Sequence, residues 1–324
     1  MTRKPGMERI VLLDDGAFTT AMPAPRFAHE WVNHAATAPE EVAARIREAT
    51  IAITNQVPIS AADLDQAPRL RMVAVAATGY NHVDLAACEE RGILVANVRD
   101  WSVSVPEHVF ALTLALRRRL AEYQAAVREG EWARSPVYGL MLEPLPRALH
   151  GSTLGLVGYG GLARRVERIA HGFGMDVIVA DRKGAAPRSG RVAFDEVIFR
   201  SDVLVILCPL TPETRGLIGA VELARMKADA LLINCARGGI VDEAALAAVL
   251  QSGGIGGAGF DVLSEEPPAN GNPLLELDLP NLIVTPHMAW ASVESERILI
   301  DEVIGIIEAF VAGSPRNVLT QPDS

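Results

Sequence analysis

The sequence predicts an α/β protein built on two doubly wound parallel sheets, and three observations carry that prediction. Short apolar runs alternate with helical segments, the alternation stops once at a proline-broken stretch and then restarts, and the restart opens with a glycine-rich turn between a strand and a helix. A length of 324 residues accommodates two such units.

In the first hundred residues the apolar runs are RIVLLDD (9–15), TIAITNQ (50–56), LRMVAVAAT (70–78) and ILVANV (93–98), with a helix expected near 39–49. Continuous apolar runs of this length suit strands buried on both faces of a parallel sheet. A long helix is expected from Ser104 to about Gly130. There Ser104 and Glu107 form a capping-box pattern, Pro106 fits the first turn, and Val109, Leu112, Leu116 and Leu120 make one apolar face. The stretch 135–146 is polar and broken by prolines, so it reads as a loop or arm.

The rhythm then resumes with TLGLVG (153–158), DVIVAD (176–181), DVLVILCP (202–209), LLINCA (231–236), GAGFDV (257–262) and NLIVTP (281–286). Helical segments separate these runs, which predicts a second parallel sheet of the nucleotide-binding kind. A final helix is expected from Ser292, with Ile298, Val303, Ile307 and Phe310 near one face, ending at Gly313 and Pro315.

Composition narrows the function. Hydrophobic residues make up 49% and charged residues 22%, as in a folded soluble protein and unlike a disordered one. With 40 acidic against 30 basic residues the formal charge is −10, a surface that repels phosphate backbones, so no nucleic-acid partner is expected. No apolar run reaches the roughly 18 residues of a membrane span. The opening MTRKPGMERI has no apolar core segment, so it does not read as a signal peptide and a cytoplasmic location is expected. Cys88, Cys208 and Cys235 are odd in number and widely spaced, which suits reduced core residues. Neither HExxH nor CxxC occurs, and no bound metal is expected.

Gly158, Tyr159, Gly160, Gly161, Leu162 and Ala163 follow a strand and open a helix, the context in which GxGxxG/A holds a dinucleotide. Gly158 permits the tight turn, and Gly160 lets the backbone approach a pyrophosphate. With Gly161 and Leu162 the helix N-terminus presents its N–H groups to that anion. Asp181 ends the next strand, 21 residues after Gly160, where a carboxylate accepts from a ribose 2′-hydroxyl and repels a 2′-phosphate. NAD is therefore expected over NADP, with Arg182 and Lys183 either solvated or pulling the other way.

Arg237, Glu266 and His287 each stand just after a strand of the second sheet, where open α/β sheets bind ligands. Singly, each has an ordinary structural explanation as a cap donor, a solvated acid or a loop histidine. Their shared topological position makes them a candidate catalytic set.

Five blocks now carry a resemblance. NCARGGIVDE (234–243), GFDVLSEEPP (259–268) and TPHMAWAS (285–292), with the glycine turn and AATGYNHVDL (76–85), resemble the D-2-hydroxyacid dehydrogenase family. The likeness covers nearly the whole chain in the family's order. ATGYNHVD, TPHMAWAS and DRKGA most resemble glycerate dehydrogenases, also called hydroxypyruvate reductases. Two departures are Pro106, where many relatives carry Ala, and Ala163 in place of the third Gly.

The resemblance implies a Rossmann coenzyme domain (103–291) inserted into a flavodoxin-like substrate domain (1–102 plus 292–324), with the active site in the cleft between them. It also implies a homodimer built around the 104–130 helix and the arm. NAD would be the coenzyme and a small 2-oxo or 2-hydroxy acid the substrate. By the same likeness Arg237 clamps the substrate carboxylate and carbonyl oxygen, and His287 is the acid in reduction and the base in oxidation. Glu266 orients the imidazole; Glu265 is set aside because the family's acid directly precedes the proline. Backbone N–H groups of Thr78 and Gly79 are implied as a second carboxylate cradle, with Thr78 near the nicotinamide. Cys208, Pro209, Cys235, Ala236 and Asp261 are implied around adenine, ribose or nicotinamide, Asp261 facing the carboxamide, and Trp290 bounds the pocket or simply packs. The expected reaction is NAD(H)-dependent reduction of hydroxypyruvate or glyoxylate; the alternatives are a dinucleotide-sensing corepressor-like protein, or a phosphoglycerate or phosphite dehydrogenase.

Overall fold

The structure is a computed structural model that describes residues 7–99 and 101–320; most of the charged N-terminal stretch read above for a leader lies outside the described residues. The chain divides into two compact units, Met1–Ser102 with Ala291–Ser324, and Val103–Trp290.

The first unit holds a five-stranded parallel sheet of β1 (Glu8–Leu12), β2 (His29–Asn33), β3 (Ile51–Thr54), β4 (Met72–Val75) and β5 (Leu94–Asn97), ordered β2-β1-β3-β4-β5. Every residue of β3 and β4 is buried, as their unbroken IAIT and MVAV demand. Strand β2 was not expected. Its sequence HEWVN is half-exposed at the sheet edge, so it lacks an apolar run, and pairing with β1 in register Glu8 to His29 makes it a strand. Short helices α1 (Val42–Ile46), α2 (Ala61–Asp65) and α3 (Leu85–Glu90) connect the strands.

In the second unit the expected helix from Ser104 divides into α4 (Val105–Arg117) and α5 (Leu120–Arg128). Arg119, at φ 53°, makes the break, and its guanidinium holds it by pairing with Glu122 at 2.6 Å and donating to Leu142 O at 3.1 Å. Val109, Leu112 and Leu116 are buried as expected, whereas Leu120, beyond the break, is 50% exposed. Ser104 makes no capping box with Glu107; its hydroxyl donates to Trp290 O at 2.8 Å. The arm is irregular after a single 3-10 turn, with Val137, Tyr138 and Met141 exposed.

Six parallel strands follow, β6 (Thr153–Val157), β7 (Asp176–Val179), β8 (Val203–Ile206), β9 (Leu231–Asn234), β10 (Gly257–Phe260) and β11 (Leu282–Val284), ordered β11-β10-β9-β8-β6-β7. The order reverses between β6 and β8, and doubly wound sheets bind ligands at the carboxyl ends of the strands there. Helices α6 (Gly161–Gly172), α7 (Phe194–Arg200), α8 (Ala220–Leu223) and α9 (Glu243–Gln251) complete the unit, while α4 packs against β9, β10 and β11. The chain returns to the first unit through α10 (Val293–Val311), capped by Ser292, whose hydroxyl accepts from Ser295 N. All three cysteines are free and buried. Burial pushes the Cys88 thiol up to about 12 and the Cys208 thiol up to about 11. Among the described residues no helix is long and apolar enough to cross a membrane.

Candidate active site

The glycine turn is built by close approach of backbones. Gly158 has φ 91°, and a Cβ there would meet Cys208 N at 2.5 Å, so only glycine lets the ends of β6 and β8 come this near. Gly160 is the N-cap of α6, and a Cβ on it would meet nothing within 4 Å. That open ground faces a helix end whose first N–H groups, beginning with Gly161 and Leu162, lack partners within the helix, and it suits a pyrophosphate. Ala163 is fully buried, so its methyl packs inward. The ring of Tyr159 carries Arg191 at 4.3 Å and Arg164 at 5.5 Å. Cys208, Cys235 and Ala236 are buried beside the strand ends, with Pro209 exposed.

Asp181 does stand at the end of β7, but its carboxylate is fully engaged. Oδ1 accepts from Arg182 N at 2.8 Å and from Arg188 at 2.9 Å; Oδ2 accepts from Arg188 N at 2.8 Å and Arg188 Nε at 2.9 Å. The bidentate Arg188 guanidinium, then the two backbone N–H groups, hold this carboxyl well below the usual carboxylate range. Arg188, not Arg182, is thus the cation that answers Asp181, and its side chain is 69% exposed. Lys183 pairs with Glu222 at 2.8 Å.

The loop after β9 presents Arg237. Asn234, fully buried, braces that loop by accepting from Ala236 N and donating to Arg237 O at 3.0 Å. A Cβ on Gly238 would lie 1.8 Å from Leu263 O, so glycine here lets the Arg237 and Glu266 loops touch. Burial pushes the Arg237 guanidinium down and the Glu266 charge pushes it up.

Glu266 accepts from Leu263 N at 2.8 Å through Oε1, while Oε2 lies 2.7 Å from His287 Nδ1. Burial raises the Glu266 carboxyl, but the His287 hydrogen bond and charge, the Leu263 N–H and Arg237 outweigh it, leaving it below the ordinary carboxylate value. Glu265 turns instead to Asn270 at 2.8 Å. Glu243, at the start of α9, fixes the same loop by accepting from Ser264 N and Asn272 Nδ2.

His287 adopts φ 53°, a left-handed conformation that costs a non-glycine residue about 1–2 kcal/mol. Its N–H donates to Asp261 O at 2.8 Å and Thr285 O at 3.0 Å. The Asp261 side chain, expected to face a carboxamide, turns to this loop: it accepts from Thr285 Oγ1 at 2.6 Å and from Met288 N and Ala289 N, both at 2.9 Å. His108 Nε2 meets Thr285 Oγ1 at 3.0 Å. Trp290 packs half-buried against the hydrophobic cluster around α4. Asn234, Glu243, Thr285 and His108 escaped the sequence reading, although the first three stand in or beside the quoted blocks.

In the first unit, Thr78 and Gly79 form the turn after β4. Thr78 O accepts from Asn97 Nδ2 at 2.6 Å and Thr78 Oγ1 accepts from Trp101 Nε1 at 3.0 Å, which anchors the turn.

The D-isomer specific 2-hydroxyacid dehydrogenase NAD-binding domain matches residues 110–289. A glycerate dehydrogenase of Methylorubrum extorquens is 45% identical over 96% of this chain and 99% of its own. A hydroxypyruvate reductase of Blautia hydrogenotrophica is 37% identical over 87% and 88%. Among solved structures, an NADPH-dependent glyoxylate/hydroxypyruvate reductase from Sinorhizobium meliloti, in complex with NADP and malonate, superposes with a TM-score of 0.81 at 28% identity over 97% of both chains.

Proposed function

The chain belongs to the D-isomer specific 2-hydroxyacid dehydrogenases, and on that premise we propose that it reduces a small 2-oxo acid, hydroxypyruvate or glyoxylate first, with His287 carrying the proton. The observation that carries this reading is the 2.7 Å contact of His287 Nδ1 with Glu266, whose carboxyl also feels the charge of a half-buried Arg237. The names of the similar glycerate dehydrogenase and hydroxypyruvate reductase support the substrate class.

A 2-oxo acid brings a carboxylate and a carbonyl oxygen that gains negative charge during reduction. Arg237 meets both with its planar fork, and a desolvated guanidinium attracts an incoming anion more strongly than one already in water. Glu266 holds Nδ1, which leaves Nε2 of His287 to give its proton to the carbonyl oxygen. Gly158, Gly160, Gly161 and Leu162 would hold a nicotinamide coenzyme, which would supply the hydride when bound. Cys208, Pro209, Cys235 and Ala236 wall its site, and Trp290 closes one side. Initial rates over a panel of 2-oxo acids with NADH and NADPH test the reading. Hydroxypyruvate and glyoxylate should outrun pyruvate and larger acids; binding of NADH without turnover of any of them would leave the sensor alternative.

Glu266→Gln keeps a hydrogen-bond partner for the ring and removes the anion. Reduction needs the protonated imidazole, so its rate falls as pH rises. Without the carboxylate that favours the cation, the descending limb of kcat/KM is expected at lower pH. An unmoved pH profile would remove Glu266 from this role.

Coenzyme choice we assign to the Asp181–Arg188 pair. A carboxylate already accepting from Arg188 and two backbone N–H groups has little capacity left for a ribose hydroxyl, and its charge is neutralised toward a 2′-phosphate. Both NADH and NADPH should therefore be used. Arg188→Ala frees the carboxylate and should raise the NADH to NADPH ratio of kcat/KM by about tenfold, whereas Asp181→Ala should lower it by about as much. Measured at fixed ionic strength, since salt screens the phosphate, a ratio that ignores both substitutions sinks the assignment.

A further inference from the structure

We propose that His108 is a positioning residue for the reaction: through the Thr285 hydroxyl and Asp261 it holds the left-handed backbone that aims His287. The proposal rests on His287 being the proton carrier, and the proton arithmetic of the contacts supports it. The Thr285 hydroxyl has one proton, and at 2.6 Å it gives that proton to Asp261 Oδ1. His108 Nε2, 3.0 Å from the same hydroxyl, must therefore be the donor. Asp261 Oδ1 also lies 3.6 Å from His108 Nε2, so the ring offers the carboxylate a second, longer-range attraction.

Asp261 is 1% exposed, and a carboxylate taken that far from water needs its acceptor sites filled. Thr285, Met288 and Ala289 fill them, and the last two N–H groups belong to the residues directly after His287. The loop on both sides of His287 is thus tied to one buried carboxylate, while the His287 N–H donates to the Asp261 carbonyl. This set of bonds offsets the cost of φ 53° at a residue that is not glycine. Among the described residues His108 joins this set from outside the strand ends: it comes from the first turn of α4, 177 residues before Thr285, and its side chain is 15% exposed. An N–H aimed at Thr285 is what the network uses.

Removing that donor leaves the Thr285 hydroxyl free to turn off Asp261, and the His287 loop then samples other conformations. The chemical step suffers, because a proton donor misplaced by about 1 Å costs up to about 100-fold, while substrate still meets Arg237. His108→Leu should lower kcat in reduction by about tenfold or more with KM within about threefold of wild type. His108→Gln, which returns an amide N–H near the Nε2 position, should recover most of that loss. Thr285→Val removes the bridging hydroxyl at nearly constant volume, so it should act like His108→Leu, and the double variant should be little worse than either single one.

The four proteins are to be compared with wild type and His287→Ala by steady-state kinetics and thermal melting. A kcat loss that Gln rescues, with the two singles non-additive, supports the proposal. Wild-type kcat in both His108→Leu and Thr285→Val, or a loss in His108→Leu that Gln leaves in place, overturns it. If His108→Leu fails to fold, Thr285→Val alone decides by the same split between kcat and KM. Should His287→Ala itself turn over normally, the proton-carrier reading fails instead.

Discussion

His287→Ala is expected to lower kcat/KM for reduction of the best 2-oxo acid by about 100-fold or more, the range that loss of a positioned general acid produces. Nothing else in the site supplies that proton equally well. Arg237 holds its protons too firmly to give one up near neutral pH, and Glu266, which lies below the ordinary carboxylate value, is ionised there. NADH affinity should stay within about threefold of wild type, because the glycine turn between β6 and α6, which we propose carries the coenzyme, is built without His287. Stopped-flow reduction rates with fluorescence titration of NADH separate the two quantities. Turnover near the wild-type rate would take the acid role away from His287.

Arg237→Ala should cost as much or more, about 100-fold to 1,000-fold in kcat/KM, since removing one partner of a desolvated, hydrogen-bonded charge pair costs about 2–5 kcal/mol. The loss should appear in KM as well as kcat, because the guanidinium meets the carboxylate before reaction and the carbonyl oxygen during it. Arg237→Lys keeps the charge without the planar fork and should recover only part of it. There is also a local signature. Arg237 contributes to holding the Glu266 carboxyl down, so the alanine variant should shift the pH profile even where saturating substrate conceals the binding defect. A variant that keeps wild-type KM for every 2-oxo acid would place the carboxylate clamp elsewhere.

Much of this site was legible in one dimension. Arg237, Glu266 and His287 follow β9, β10 and β11, and apolar runs mark those strand ends directly, so three residues scattered over 51 positions of sequence could be assigned to one edge of one sheet. The glycine turn was legible for a related reason: a φ of 91° and a neighbouring backbone that a Cβ would meet at 2.5 Å tolerate only glycine, and the sequence records that exclusion as GxGxxA. Both parallel sheets followed from buried strands that have to be apolar on either face.

What stayed hidden depended on partners rather than on pattern. Strand β2 exists because β1 offers it an edge, and three of its five residues, His29, Glu30 and Asn33, are polar. The long helix breaks at Arg119 because its guanidinium finds Glu122 and Leu142 O, a choice that the apolar stripe running across the break does not reveal. Asp181 and Asp261 stood where the sequence placed them, but their oxygens went to Arg188 and to the His287 loop. A carboxylate's position follows from the strand that carries it, whereas its availability follows from every donor that the fold brings within 3 Å. The sequence by itself therefore determined the two sheets, the glycine turn and the sheet edge where the proposed catalytic residues gather. Only the tertiary structure decided which charges are spent on each other and which remain for a ligand, because hydrogen bonds are settled by proximity across the fold and periodicity along the chain does not encode it.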